Sequence, residues 1–252
     1  MNFVYDYFNN KLKGYLLMKK IKLLSLLAIF GVSSTAVYAA DVQSDDPLSP
    51  VGYWVQYDED NDAGKGMAEG IIQAYFAKNG TLEMKIVVPL MQVNNKTGQP
   101  GAPMIHCDVC GKGSINGFSY DYTSPSDNLV QGLTFAGNMQ KQPGTDGAGK
   151  GFEYDKGGVL NPNDGKTYNS KAQPVDGGET LFARAYKGSG WYSVGKDAHW
   201  KRIDEATYEK VKKECGLTDD GVYPYQAKDG SIKNNDLYKK CTNYPFDVKK
   251  PV

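Results

Sequence analysis

The sequence predicts an all-β fold, and three observations carry that prediction. Between Tyr154 and Arg202 the apolar residues come in short runs of β-branched and aromatic types. Asn161-Pro162-Asn163-Asp164-Gly165, Asp176-Gly177-Gly178 and Gly188-Ser189-Gly190 cut these runs, which is how an antiparallel meander with tight turns looks in sequence. Thr81 to Val88 alternates, placing Leu82, Met84, Ile86 and Val88 on one face and Glu83 and Lys85 on the other, as in a strand with one buried and one wet side. The 252-residue chain is also rich in Gly (29) and Tyr (18), which favours strands and turns over helices.

Taken from its start, the chain opens on a targeting segment. Lys19, Lys20 and Lys22 precede the apolar run Leu23 to Val32, and Val37-Tyr38-Ala39 offers small residues to signal peptidase. Cleavage is expected after Ala39. Met18-Lys19-Lys20 is itself a normal signal start, which points to a start downstream of Met1. The apolar run is too short to span a membrane. Residues 1–39 hold five of the 29 basic and one of the 29 acidic residues, so the exported remainder carries 24 against 28. A mildly acidic chain lacks the concentrated basic surface that nucleic acid requires.

Residues 40–49 read as a polar, Pro-containing linker. A strand begins at Gly52, with Tyr53, Val55 and Tyr57 on one face and Trp54 and Gln56 on the other. The acidic turn Asp58 to Gly66 leads to a second strand, Met67 to Phe76, and Asn79-Gly80 is a strong hairpin signal before the third. From Met91 to Asn128 the pattern breaks into a long insertion containing Cys107 and Cys110. Strands resume at Val130 to Met139 and continue through the meander, for eight principal strands in all. Asp204, acidic residues after it and Lys210, Lys212 and Lys213 predict a helix ending near Gly216. The rest of the 204–252 tail reads as loop.

An even set of four cysteines in an exported chain predicts disulfides. Proximity in sequence favours Cys107 with Cys110, leaving Cys215 with Cys241 to pin the tail. The contexts for a redox or zinc role of the Cys107-x-x-Cys110 pair are missing: no βαβ setting, and no second close pair of ligands.

Other chemical patterns fall short. Asp58, Asp60, Asp62 and Glu69 occupy four positions of a calcium loop, but Ala63 stands where that loop needs glycine, and a solvated hairpin turn accounts better for the run. Gly144 to Gly151 approaches a phosphate-binding loop, yet ends on Gly151 rather than a hydroxyl and leads into a strand. His199 has no nucleophile signature to serve, and packing or a surface position explains it. No catalytic residue, metal or cofactor is assigned, and an enzyme ranks behind the other function classes.

Gly52-Tyr53-Trp54 with Asp58 and Asp60, the Cys107/Cys110 pair, Gly157-Gly158-Val159-Leu160-Asn161-Pro162 before Asp164-Gly165-Lys166-Thr167-Tyr168, then Phe182-Ala183-Arg184-Ala185-Tyr186 and the closing Trp200-Lys201-Arg202 resemble the secreted bacterial family called domain of unknown function 2147. The resemblance covers about Pro50 to Ile203. It implies a lipocalin-like barrel: eight antiparallel strands in up-and-down order over residues 50–203, with the C-terminal helix beside it. It further implies closure by Trp54 packed under Arg202. Asn161 and Lys196 depart from the family pattern, which separates the barrel from any ligand the family shares.

Within such a barrel alternate residues point inward. Ile72, Ala74 and Phe76, Leu82, Met84 and Ile86, and Leu181, Ala183 and Ala185 then face the lumen, with Tyr168 or Arg184 near the rim as polar contacts. The alanines opposite Met84 and Phe76 predict a narrow pocket for a slender apolar group such as an acyl chain. The function expected is the binding of a small apolar or amphipathic molecule by a periplasmic or secreted protein. The competing class is a structural or interaction protein of the envelope with a filled barrel.

Overall fold

The computed structural model describes residues 44–60, 62–94, 97–218, 223–227 and 229–248. The targeting segment and its cleavage point lie outside these. Among the described residues, no helix is long and apolar enough to cross a membrane.

Leu82–Pro89 makes a strand, β3, and its hairpin partner Ala68–Phe76, β2, pairs with it through the Asn79-Gly80 turn. Leu82 and Met84 keep the expected inward face, whereas a register shift that leaves Val87 extra turns Val88, expected on that same face, outward into the cluster of Ile71. Asn79 fixes that turn by accepting from the Thr81 amide and hydroxyl, with Gly80 at φ 79°. Gly52–Tyr57 forms β1 and pairs with β2. After the insertion the meander follows: β8 (Thr134–Lys141), β9 (Tyr154–Leu160), β10 (Thr167–Val175), β11 (Thr180–Lys187) and β12 (Val194–Ile203). These eight strands close into an antiparallel barrel in the order β1-β12-β11-β10-β9-β8-β3-β2, an up-and-down arrangement. Closure leaves no free edge on the barrel sheet.

Two parts are more ordered than their composition suggests. The insertion folds into two ribbons, β4 (Gln92–Val93) with β5 (Pro100–Gly101), and β6 (Lys112–Ile115) with β7 (Phe118–Asp121). The second ribbon lies on the outer face of β8 and β9, on a seat made by glycines. A Cβ at Gly158 would stand 2.3 Å from Ile115 Cγ2, so a larger residue would push the ribbon off. The Cys107–Cys110 bond joins this region, with Phe118, Leu133 and Leu160 packed beside it. The strand expected from Val130 begins only at Thr134, because Val130 to Leu133 form a turn, with Leu133 N donating to Val130 O at 3.2 Å and Gly132 at φ 89°, that seats Val130 and Leu133 in that same cluster.

The tail differs from expectation too. The expected helix is present as α1 (Glu205–Cys215), capped by Asp204, which accepts from the Thr207 amide, and ended by Gly216 in the left-handed conformation. A second helix, α2 (Asn235–Thr242), occupies what composition suggests is loop. Its N-cap, Asn234, accepts from the Leu237 amide. The Cys215–Cys241 disulfide ties α1 to α2. Together they cover the outward faces of β1 and β2: Tyr53, Val55 and Ile71 join one buried cluster with Val211, Tyr225 and Phe246. Tyr53 stacks on Tyr208 with centroids 4.3 Å apart. That cover explains why β1 carries apolar side chains on both faces.

The inward faces form a second cluster. At one end of the barrel Trp54, Leu82, Met139, Tyr154 and Leu181 fill the lumen. Trp54 is wholly buried, donates from Nε1 to Pro50 O at 2.9 Å, and pairs across strands with Arg202. The residues just before β1, expected as a linker, wrap this end, where Pro47 and Ser49 present their carbonyls to Arg202.

Candidate functional site

The filled end leaves the other half of the barrel open. There a cavity of about 780 Å³ reaches down from the mouth formed by the last residues of β1, β3, β9 and β11 and the first of β2, β8, β10 and β12. Its apolar wall includes Ile72, Met84, Ile86, Phe135, Ala183 and Trp200. Phe135 and Trp200 stand with centroids 6.2 Å apart. Small residues on two adjacent strands make the room: Ala183 faces Ala198 across the β11–β12 ladder, and both border the cavity. Trp200 is 6% exposed, and its indole N–H has no hydrogen-bond partner among the described residues. Ser170, also on the wall, donates to Met139 Sδ at 3.3 Å.

The mouth is polar. In β2 the register slips by one residue against β1, so that Gln56 faces Gly70 and Tyr57 faces Ala68, leaving Glu69 extra. A bulge of this kind re-aims a side chain, and here Glu69 borders the cavity and accepts from Gln56 Nε2. The bulge is held from the β3 side: the Glu69 carbonyl accepts from Leu90 N at 2.9 Å and Met91 N at 3.1 Å. Gly70 allows this close approach, since a Cβ there would lie 2.6 Å from the Val88 carbonyl oxygen. Burial, reinforced by the Asp58 carboxylate, pushes Glu69 up to about 7, against the opposing effects of Lys196 and Gln56. Lys196 Nζ is bound to Asp60 Oδ2 at 2.5 Å.

Of the residues the sequence assigns to a pocket, Ile72, Met84, Tyr168, Ala183 and Arg184 border this cavity. Arg184 does so with its guanidinium tied to Asp197 at 2.7 Å. Ala74 lies wholly buried among the lumen residues outside the cavity wall. Phe76 is at the end of β2 on the filled side, 44% exposed, with its ring against Tyr154 at 5.5 Å. The alternation is kept from Ile72 to Phe76, but the lumen is already filled around Trp54 and Tyr154 where these two residues fall.

The sequence assigns Glu69, Gln56 and Lys196 to no pocket, although Glu69 stands in the calcium-loop pattern and alternation puts Gln56 on the face of Trp54. The acidic run was read as a solvated turn, yet Asp58 is 3% exposed and Glu69 stands in the lumen mouth. The signal for Glu69 is a lone acid in the otherwise apolar stretch Ala68-Glu69-Gly70-Ile71-Ile72. His199 sits away from the cavity wall, its ring against Phe182 and its Nδ1 3.4 Å from Glu59. His106 Nδ1 is 2.7 Å from Asn128 Oδ1.

No curated protein and no solved structure matches the chain. The model of a bacterial family described as "Uncharacterized protein conserved in bacteria (DUF2147)" matches residues 52–202, from the glycine that opens β1 to the arginine that closes the barrel, and the chain belongs to that family.

Proposed function

We propose that this is an exported bacterial binding protein whose half-open barrel holds a small apolar or amphipathic molecule. One observation carries the reading: a cavity of about 780 Å³, apolar along its depth and polar at its mouth, above a lumen floor that is already packed. That volume falls within the roughly 300–1,000 Å³ common for small-molecule sites, and a few convergent polar groups beside an apolar wall are their usual composition. The two disulfides support an oxidising compartment, where such bonds persist. A barrel serving only as an envelope scaffold has no need of space beyond native packing density.

The test is uptake of an uncharged long-chain alcohol, dodecanol, followed by tryptophan emission, since the Trp200 ring borders the cavity. Wild-type protein should show a saturable change, and Ala183→Leu should abolish it while the barrel stays folded. An emission spectrum that neither dodecanol nor its amine counterpart moves in the wild type would remove the binding reading.

A further inference from the structure

The charges around the cavity are unevenly satisfied. Arg184 is neutralised by Asp197 at 2.7 Å and Lys196 by Asp60 at 2.5 Å. Lys187, at the outer rim, is exposed to water and lies over the Tyr168 ring at 4.8 Å. Glu69 is different. Its hydrogen-bonding neighbour is the neutral Gln56 amide; its own desolvation, then the carboxylates Asp58 and Asp60, oppose its ionisation, and Lys196, which favours it, is itself bound to Asp60. Hydrated Lys187 gains little from a counter-ion, whereas a desolvated carboxylate gains most from a cation brought beside it. An incoming carboxylate would meet three acids at this side of the mouth. An ammonium would find the Glu69 carboxylate and the Gln56 carbonyl oxygen, both acceptors, at the top of an apolar shaft.

We infer that the cavity is built for a slender apolar molecule ending in a protonated amine, its alkyl part along Met84, Ile86 and Phe135 and its ammonium at Glu69 and Gln56. This rests on the binding reading above. It adds the sign of the charge and the residue that reads it. The packed floor of Trp54, Leu82 and Leu181 limits the length of the alkyl part, so the charged end stays at the mouth.

Calorimetry with dodecylamine, dodecanol and dodecanoate below their micellar concentrations at pH 8 separates the claims. The wild type should bind the amine about tenfold or more tighter than the alcohol, and the carboxylate more weakly than either. Glu69→Gln should bring the amine-to-alcohol ratio close to one. Lys196→Gln, which removes the cation competing for the same acids, should raise that ratio, a change that loss of folding cannot imitate. Lowering the pH to about 5.5 should weaken the amine and spare the alcohol, because Glu69, facing Gln56 on β1, Asp58 and Asp60 of the following turn and Lys196 on β12, then takes up its proton. Alcohol and carboxylate binding as tightly as the amine, with both variants unchanged, overturns this inference and leaves the binding reading standing. No uptake of any of the three overturns both.

Discussion

Arg202 lies over Trp54, its guanidinium carbon 4.1 Å from the indole centroid, at the rung where the last strand of the barrel meets the first. The same guanidinium donates to the carbonyls of Gly178 at 2.7 Å, Val51 at 3.1 Å, Pro47 at 3.2 Å and Ser49 at 2.5 Å. It gathers four carbonyls from two backbone segments, residues 47–51 before β1 and the turn between β10 and β11, and burial pulls its pKa down to about 10. A lysine can supply neither the planar stack nor the forked donors. Arg202→Lys should therefore lower stability by roughly 2–4 kcal/mol, combining lost cation–π contact with lost charge-assisted hydrogen bonds. Urea unfolding followed by tryptophan emission reads it; an unchanged midpoint would mean that the closing rung does not depend on this side chain.

Two alanines of the lumen should answer differently to enlargement. Ala74 is wholly buried in the packed lumen, and Ala74→Leu should cost about 1–3 kcal/mol through overpacking. Ala183 borders open space, so Ala183→Leu should leave the unfolding midpoint nearly unchanged. Equal destabilisation by the two would indicate that the cavity collapses in solution.

Glu69 makes stability depend on pH. The folded chain holds this proton up to about pH 7, whereas an unfolded carboxyl releases it near 4.5. The folded state binds more protons between those limits, so stability is full below the lower and falls as pH rises through the upper. The loss is on the order of 3 kcal/mol. Glu69→Gln should flatten this part of the pH–stability curve. A wild-type curve that rises from pH 5 to 8, with the variant parallel to it, would contradict the burial assigned to this carboxyl.

The Cys215–Cys241 bond spans 26 residues, and on the chain-entropy account its removal should cost about 3.5 kcal/mol. Replacing both cysteines by serine should free the cover over Tyr53 and Val55 before the barrel itself opens. Hydrogen exchange would show β1 and β2 amides losing protection while those of β10 and β11 keep it; uniform loss throughout would mean that the tail and the barrel unfold as one unit.

Much of this architecture is written in short-range patterns. The alternation of β3, the turns of the meander and the Asp204 cap are local signals, and each element forms where its signal lies. The helix α2 is short, and the face it buries, Leu237, Tyr238 and Cys241, is too brief to show a helical period among Lys and Asn; its N-terminus is fixed by a cap and its C-terminal turn by a disulfide to a distant segment. The ribbon on the glycine seat is invisible for a related reason: nothing local in Gly157-Gly158 says that Ile115, more than forty positions earlier, stands over Gly158. The lumen was legible in its alternation, which placed Ile72, Met84 and Ala183 on the inward face, but not in its depth. Where the floor lies depends on Trp54 and Tyr154, 100 positions apart in the chain, joining one buried cluster inside the barrel. Glu69 was hidden by a one-residue slip in register, which no alternation rule anticipates.

Whether the open half of the barrel holds a small molecule is read by native mass spectrometry of the protein isolated gently from its own cells. A bound species of roughly a few hundred daltons, in keeping with a cavity of about 780 Å³, should be present in the wild type, leave on unfolding and be absent from Ala183→Leu. Wild-type protein that flies at its bare mass, and acquires no adduct when dodecylamine or dodecanol is added, would contradict it.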